Sequence, residues 1–181
     1  MRPHNWERHS FGAWLQNAAP RLHRNKLATA LANKLARIAD GILSEEFIRA
    51  LHKRMFGDVW KWAGSHRQSE RNIGIDAYRI ANELGALPGD VKYWIEHETY
   101  PPDEIAIRFH HCLVAIHPFP NGNGRHARLM ADLLIELLDG EPFSWGGGHL
   151  TDVGNLRMRY VAALQAADKH DIAALLEFAR S

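Results

Sequence analysis

One cysteine, Cys112, stands among 181 residues. No intrachain disulfide can form, so nothing in the chain requires an oxidising compartment. No apolar run approaches the roughly 20 residues that a membrane span needs. Met1 is followed by Arg2, Pro3, His4 and Asn5 rather than by an apolar core, so no export signal is legible. The expectation is a cytoplasmic protein with no membrane partner. Charge of one sign is also missing. The net charge is +1 and the isoelectric point about 8.0, too balanced to imply nucleic-acid binding by itself. The one local excess lies in residues 1–26, where Arg2, Arg8, Arg21, Arg24 and Lys26 face only Glu7. That basic arm leaves DNA open as a partner, against the plainer reading of a solvated terminus. Repeats, low-complexity stretches and linkers are absent.

What is present is an ordinary globular mixture, 46% hydrophobic and 24% charged. A chain of this length buries roughly 70% of the surface its unfolded form exposes, enough for one core without staples. Helical periodicity dominates. Leu27, Leu31, Leu35 and Ile38 share a face, and Asp40-Gly41 closes that segment. We assign residues 1–43 to a basic helical extension and 44–181 to the main domain. Ser44 is placed to cap the next helix, with Glu45 and Glu46 in its first turn and Ile48, Leu51 and Met55 on its apolar stripe. Residues 65–77 are polar, then β-branched in alternation, and read as a short β-hairpin or extended flap. Gly85 to Gly89, which contains Pro88, reads as a loop before a helix over Val91–Glu98. Pro101-Pro102-Asp103-Glu104 starts the clearest helix. Ile105, Phe109, Cys112, Leu113 and Ile116 line its inner face, and it stops at His117-Pro118, because proline disfavours helical backbone in the residue before it. A further helix carries Met130, Leu133, Leu134, Leu137 and Leu138, and Gly140 ends it. A loop containing Gly146-Gly147-Gly148 leads to two last helices near 153–167 and 171–180. The fold class is mainly α with one small β element.

Chemistry concentrates in His117-Pro118-Phe119-Pro120-Asn121-Gly122-Asn123-Gly124-Arg125-His126-Ala127-Arg128. A histidine ends one core helix, and a glycine-rich loop opens directly into the next. Gly122 and Gly124 let backbone N–H groups approach a ligand unobstructed. The new helix adds unpaired N–H groups and the positive end of its dipole, which together suit phosphate. Arg125 and Arg128 lie three apart and project from the first turn on neighbouring faces. Two guanidiniums suggest a polyphosphate. His117, at the edge, can take a proton near neutral pH. A capping histidine and surface ion pairs would explain each residue singly; their conjunction within twelve residues favours the phosphate site.

This segment resembles the signature of the Fic family, HPFx[D/E/N]GN[G/K]RxxR, at every fixed position. The resemblance extends over about residues 44–180. Leu51 to Trp60 is similar to small bacterial Fic proteins called mobile mystery protein B. The resemblance implies a Fic-type helical bundle with a β-hairpin flap, and transfer of AMP from ATP to a Tyr, Thr or Ser hydroxyl of a target protein. By the same resemblance His117 would be the base and Phe119 the loop's anchor. Asn121 would be the metal ligand, with Mg²⁺ or Mn²⁺. Gly122, Asn123 and Gly124 would hold the α- and β-phosphates, Asn123 partly through its side chain. Arg125 would hold the β-phosphate and Arg128 the γ-phosphate. The target would lie along the flap, about residues 66–75, by strand addition.

Two departures from the family pattern stand out. Asn121 replaces the acid that AMP-transferring members usually carry, and so lacks a carboxylate's charge. The family's inhibitory motif, [S/T]xxxE[G/N], is missing: no Ser or Thr here has Glu four positions later, Thr29 being followed by Asn33 and Thr99 by Asp103. An antitoxin-like inhibitor on a separate chain, in a toxin-like module of a mobile element, is the corresponding expectation. A homodimer is compatible with the resemblance. Two alternatives stay open: transfer of another nucleotide or a phosphate group, and a weakly active accessory protein that binds nucleotide or DNA. Gly124, where kinase-like members have Lys, argues against phosphoryl transfer. A transition-metal site is not favoured, since His110 and His111 are adjacent on a helix and point apart. Cys112 reads as a buried small hydrophobe.

Overall fold

A computed structural model describes residues 41–147 and 153–181. Among the described residues six helices make up the frame: α1 Glu45–Phe56, α2 Ile80–Glu96, α3 Pro102–Ile116, α4 Asn123–Leu137, α5 Val153–Ala167 and α6 Ala173–Arg180, with a 3₁₀ turn over Ala77–Arg79 before α2. Among the described residues no helix is long and apolar enough to cross a membrane. Nearly all of the extension expected over 1–43 lies outside the described residues; its last residue, Leu43, is buried in the core.

Helix α3 is the centre. Ile105, Ala106, Ile107, Phe109, His110, Leu113 and Ile116 are all buried, so the helix is covered on most of its circumference. It packs most heavily on α4, and also on α2 and α6, while α1 lies against α4 and α5 against α6. Ser44 caps α1 as expected. Its Oγ accepts from the Phe47 N–H at 3.2 Å and donates to the Gly41 carbonyl at 2.9 Å. The buried line of α1 is Ile48, His52 and Phe56. Of the expected stripe, Ile48 is buried, whereas Leu51 and Met55 are only half-buried.

Two expectations are corrected. Gly85 to Gly89 is not a loop: α2 runs unbroken from Ile80 to Glu96 with Pro88 inside it. Interior proline costs about 3 kcal/mol through its missing N–H and ring clash. Leu84, Leu87, Val91 and Ile95 are all buried on one face. At about 1.5–3 kcal/mol for each fully buried side chain, they outweigh that cost. The β-hairpin flap is likewise not formed. Among the described residues there is no strand, and residues 65–76 follow an irregular, bent path. The reason is Arg67, which draws to itself the carbonyls that a hairpin would pair across a ladder.

Candidate functional site

His117 terminates α3 in the left-handed conformation, φ 53° and ψ 58°, its N–H donating to the Leu113 carbonyl at 3.1 Å. That conformation costs an L-residue roughly 1–2 kcal/mol and is usually given to glycine. Here the surroundings impose it. Pro118 bars another helical turn. Arg67 then fastens the turn: its Nε donates to the His117 carbonyl at 2.8 Å, and its backbone N–H donates to the Pro118 carbonyl at 2.9 Å. The Arg67 side chain is fully hidden. Its Nη1 donates to the Ser69 carbonyl at 3.1 Å, and its Nη2 to the carbonyls of Ile75 and, at 3.5 Å, Ile116. The carbonyls of Ile116 and His117 lie at the helix end, where none finds an intrahelical donor. One guanidinium therefore closes α3 and shapes the loop over it. Gly74, at φ +94°, completes the contact. A Cβ there would sit 2.5 Å from His117 Cβ, so only glycine lets the loop lie on the histidine. Glu70, exposed, accepts from the Ala77 N–H at 3.0 Å and ties the loop's far end to the 3₁₀ turn.

The His117 ring is partly buried, and burial holds its pKa below the ordinary 6.5. The Val114 carbonyl opposes that shift, and the charges of Arg67 and Arg71 add to it. Nδ1 is buried without a well-formed hydrogen bond. With its proton on Nδ1, toward Val114, the neutral ring keeps its lone pair on Nε2.

The loop that follows is built around Phe119, which is fully buried. The Asn123 side chain closes it: Oδ1 accepts from the Phe119 N–H at 2.9 Å, and Nδ2 donates to the Phe119 carbonyl at 2.7 Å. The carboxamide expected to help hold phosphate is thus committed to the loop's own backbone. Gly122 sits at φ 82°, where a Cβ would lie 2.8 Å from the Phe56 ring. Helix α4 begins immediately afterwards, its first full-turn bond running from the His126 N–H to the Gly122 carbonyl at 3.0 Å. The N–H groups of Asn123, Gly124 and Arg125 therefore lack intrahelical partners. Asn121 is exposed, and its Oδ1 accepts from the Gly122 N–H at 2.7 Å.

Sequence reasoning missed the floor under this loop. His52 is fully buried; the Gly64 N–H donates to its Nδ1 at 3.0 Å and its Nε2 donates to the Asn121 carbonyl at 3.0 Å. It stacks on Phe119 with ring centres 3.8 Å apart. His126 donates from Nε2 to the Ile48 carbonyl at 2.9 Å. Burial, reinforced by His52, pushes its pKa down to about 4. Both rings are neutral, so they brace the loop without adding charge to an anion site. The only sequence signal was their spacing: His52 lies four residues after Ile48 and four before Phe56.

The two arginines rest on aromatic rings. Arg125 lies over Phe56 at 4.7 Å and Trp60 at 6.0 Å; Arg128 lies over Tyr160 at 5.4 Å. Neither pairs with a carboxylate among the described residues. Tyr160 bonds His110 Nε2 at 3.0 Å, and a Cβ on Gly124 would sit 3.4 Å from the Tyr160 hydroxyl. His111 points elsewhere, to Asp168 at 2.8 Å. Cys112 is half-buried on α3. The site thus combines a neutral imidazole, a row of free N–H groups and two guanidiniums that form no ion pair among the described residues.

The model of the Fic/DOC family matches residues 42–135. The chain belongs to the Fic/DOC family. It is 28% identical over 135 residues to the protein adenylyltransferase Fic of Aedes aegypti, covering 72% of this chain and 26% of that protein. The chain spans about a quarter of the length of the curated relatives it matches. Among solved structures it resembles Fic-1 of Caenorhabditis elegans, with a TM-score of 0.62 at 24% identity, over 83% of this chain and 46% of that one. The ADP-bound N-terminal Fic domain of a Bartonella quintana effector matches with a TM-score of 0.57 at 18% identity, over 86% and 84%. These likenesses identify the helical frame as the Fic fold. Tyr160 and Trp145 lie beyond the stretch that the family model matches.

Proposed function

We propose that this Fic domain transfers AMP from ATP to a hydroxyl of a protein. The observation that carries the reading is a neutral histidine held at the edge of a helix N-terminus whose N–H groups and two arginines are free to receive a polyphosphate. The curated relatives bear the name protein adenylyltransferase, and a structural neighbour binds ADP.

In this mechanism the α-phosphate lies over the N–H groups of Asn123 and Gly124, with Arg125 and Arg128 on the outer phosphates. His117 Nε2 takes the proton of the target hydroxyl. The hydroxyl oxygen then bonds to the α-phosphorus as its bond to the α,β-bridging oxygen breaks, and pyrophosphate leaves. The chain's contribution is position and fixed charge. Mg²⁺ fits the donors present. Asn121 Oδ1 is exposed with one lone pair unused, and among the described residues no group of three His, Cys, Asp or Glu forms a cage. Asn121 would hold the ion together with the phosphates, an arrangement Mg²⁺ favours. The ion would neutralise charge on the outer phosphates.

The target would lie along residues 66–75. Ile73 and Tyr78, 61% and 80% exposed, offer apolar contacts within and just beyond this segment. With no hairpin, the target would meet backbone groups of an irregular segment rather than join a strand. We place the protein in the cytoplasm, where ATP is abundant, as a toxin-like module restrained by a separate inhibitor. The lack of an acid on Arg128 among the described residues supports that last point.

The test is transfer of radiolabel from α- and γ-labelled ATP, with Mg²⁺ or Mn²⁺, to lysate proteins and to the protein itself. Label from the α position alone, lost in His117→Ala, is the expected result. Label from γ would reverse the assigned polarity and make the protein a kinase. Label that survives His117→Ala would remove the base.

A further inference from the structure

Arg128 has an acid within reach that does not reach it. Asp132 stands one turn further along α4, at the i,i+4 spacing that lets a guanidinium and a carboxylate pair on a helix. Instead its carboxylate is occupied, and Arg128 acts on it only as a nearby charge, with no hydrogen bond between them. The indole Nε1–H of Trp145 donates to both oxygens, at 3.0 and 3.1 Å, and the Phe143 N–H donates to Oδ1 at 3.1 Å. The nearest alternative cation is unavailable. Arg180 is bound to Asp103 by two bonds of 2.6 and 2.7 Å, and to the carbonyls of Glu141 and Pro142 at 2.9 and 3.1 Å. Among the described residues whose charge acts on Asp132, Arg128 is therefore the one left to pair with it once Trp145 lets go.

Trp145 is itself held firmly. Its ring packs on His110, with centres 4.8 Å apart, and on Phe143 at 5.3 Å, and its backbone N–H donates to the Ala179 carbonyl at 2.9 Å. Tyr160, bonded to the same His110, lies under Arg128 with a neutral ring. Burial pushes the Tyr160 hydroxyl up to about 12 and His110 down to about 3, so neither is ionised near neutral pH. The surroundings thus support Arg128 without spending its charge.

We propose that Trp145 is a positioning residue for the terminal-phosphate arginine: by holding Asp132, it keeps Arg128 unpaired and so sets the preference for a nucleoside triphosphate over a diphosphate. This rests on the reading of the site as a nucleotide site with Arg128 on the γ-phosphate. An acid on Arg128 would compete with the γ-phosphate but leave the α- and β-phosphate contacts intact. Binding of a triphosphate should then suffer while that of a diphosphate does not.

The experiment is calorimetric titration of the full chain, with Mg²⁺, using AMPPNP and ADP. Trp145→Phe keeps the ring against His110 and removes the N–H donor. It should weaken AMPPNP about fivefold relative to ADP, a change of about 1 kcal/mol. Adding Asp132→Asn should restore the wild-type ratio, because an amide cannot neutralise Arg128. Rescue by removing a charge is a result that a merely structural role of Trp145 would not produce. Equal weakening of both nucleotides, no weakening, or selective weakening that Asp132→Asn fails to rescue would each overturn the inference while the nucleotide site stands. Asp132→Asn alone, with Trp145 in place, should leave the ratio unchanged. A rise in AMPPNP affinity in that variant would mean that Asp132 already draws on Arg128, contrary to the proposal. A wild-type protein that binds neither nucleotide would remove the nucleotide reading itself, and this inference with it.

Discussion

The Nε–H of Arg67 donates to the carbonyl of His117 at 2.8 Å, and the same guanidinium holds carbonyls at Ser69 and Ile75. The loop over the site and the base beneath it therefore share one fastening. Replacing Arg67 by Gln strips donors from several carbonyls, most of them part-buried, each costing at most about 1–3 kcal/mol when unmet. Arg67→Lys keeps the charge but not the planar fork, so it should not restore the geometry. Both variants should lower kcat for AMP transfer at least tenfold while ADP affinity, read by calorimetry, changes less than twofold. Equal loss of both would make Arg67 a general fold residue.

Activity should depend on pH through His117. The ring acts as a base only when unprotonated, and burial with Arg67 and Arg71 holds its pKa below 6.5. Transfer should therefore fall on acidification, with its inflection below 6.5. In Arg67→Gln the inflection should move up, toward the ordinary histidine value. The check is a pH–rate profile together with the histidine ring signals followed by NMR. An inflection above 6.5 in the wild type would contradict the buried, neutral base.

Stability should be lost on mild acidification, for a separate reason. His110 and His126 are pushed to about 3 and about 4 in the folded chain, against an ordinary 6.5. Between these values the unfolded chain binds protons that the folded chain refuses. The contribution is whole above pH 6.5 and drains away as pH falls toward 4, on the order of 3 kcal/mol for His126 alone. Urea midpoints measured from pH 7.5 to 4.5 should fall along that slope. His126→Gln, which keeps a donor for the Ile48 carbonyl, should flatten it.

Metal dependence should respond to residue 121. Asn121→Asp keeps an oxygen for the Gly122 N–H and adds a charge facing the phosphates. The Mg²⁺ concentration for half-maximal transfer should fall severalfold. No change would place the ion, or the need for it, away from this side chain.

How much of this could be read from the chain alone follows from range. The twelve residues from His117 to Arg128 were legible because their chemistry is local: one helix end, one tight loop, one helix start. Ser44 and the ends of α3 were legible for the same reason. Pro88 misled because a propensity penalty is visible in sequence, whereas the buried face of Leu84, Leu87, Val91 and Ile95 that outweighs it depends on α3 being there. The hairpin failed for a similar reason. Ile73-Gly74-Ile75 alternates like a strand, but Arg67 takes the carbonyl of Ile75 and leaves no ladder to form. Tyr160 reads in sequence only as a core residue of its helix, and His52, Arg67 and Tyr160 were given no individual role in the site, because each gains that role from a partner 50 or more residues away: Asn121, His117 and His110.

Gly74 gives the loop over the site a practical boundary. A designer who wishes to redirect this protein to a new substrate can vary Ile73 and Tyr78, which project outward. Grafting the whole loop from another scaffold is a different undertaking. The transplanted piece must bring both an arginine in the place of Arg67 and a residue without a side chain in the place of Gly74, or the histidine moves with the graft. Recognition and chemistry are separate words, but here they are one mechanical part.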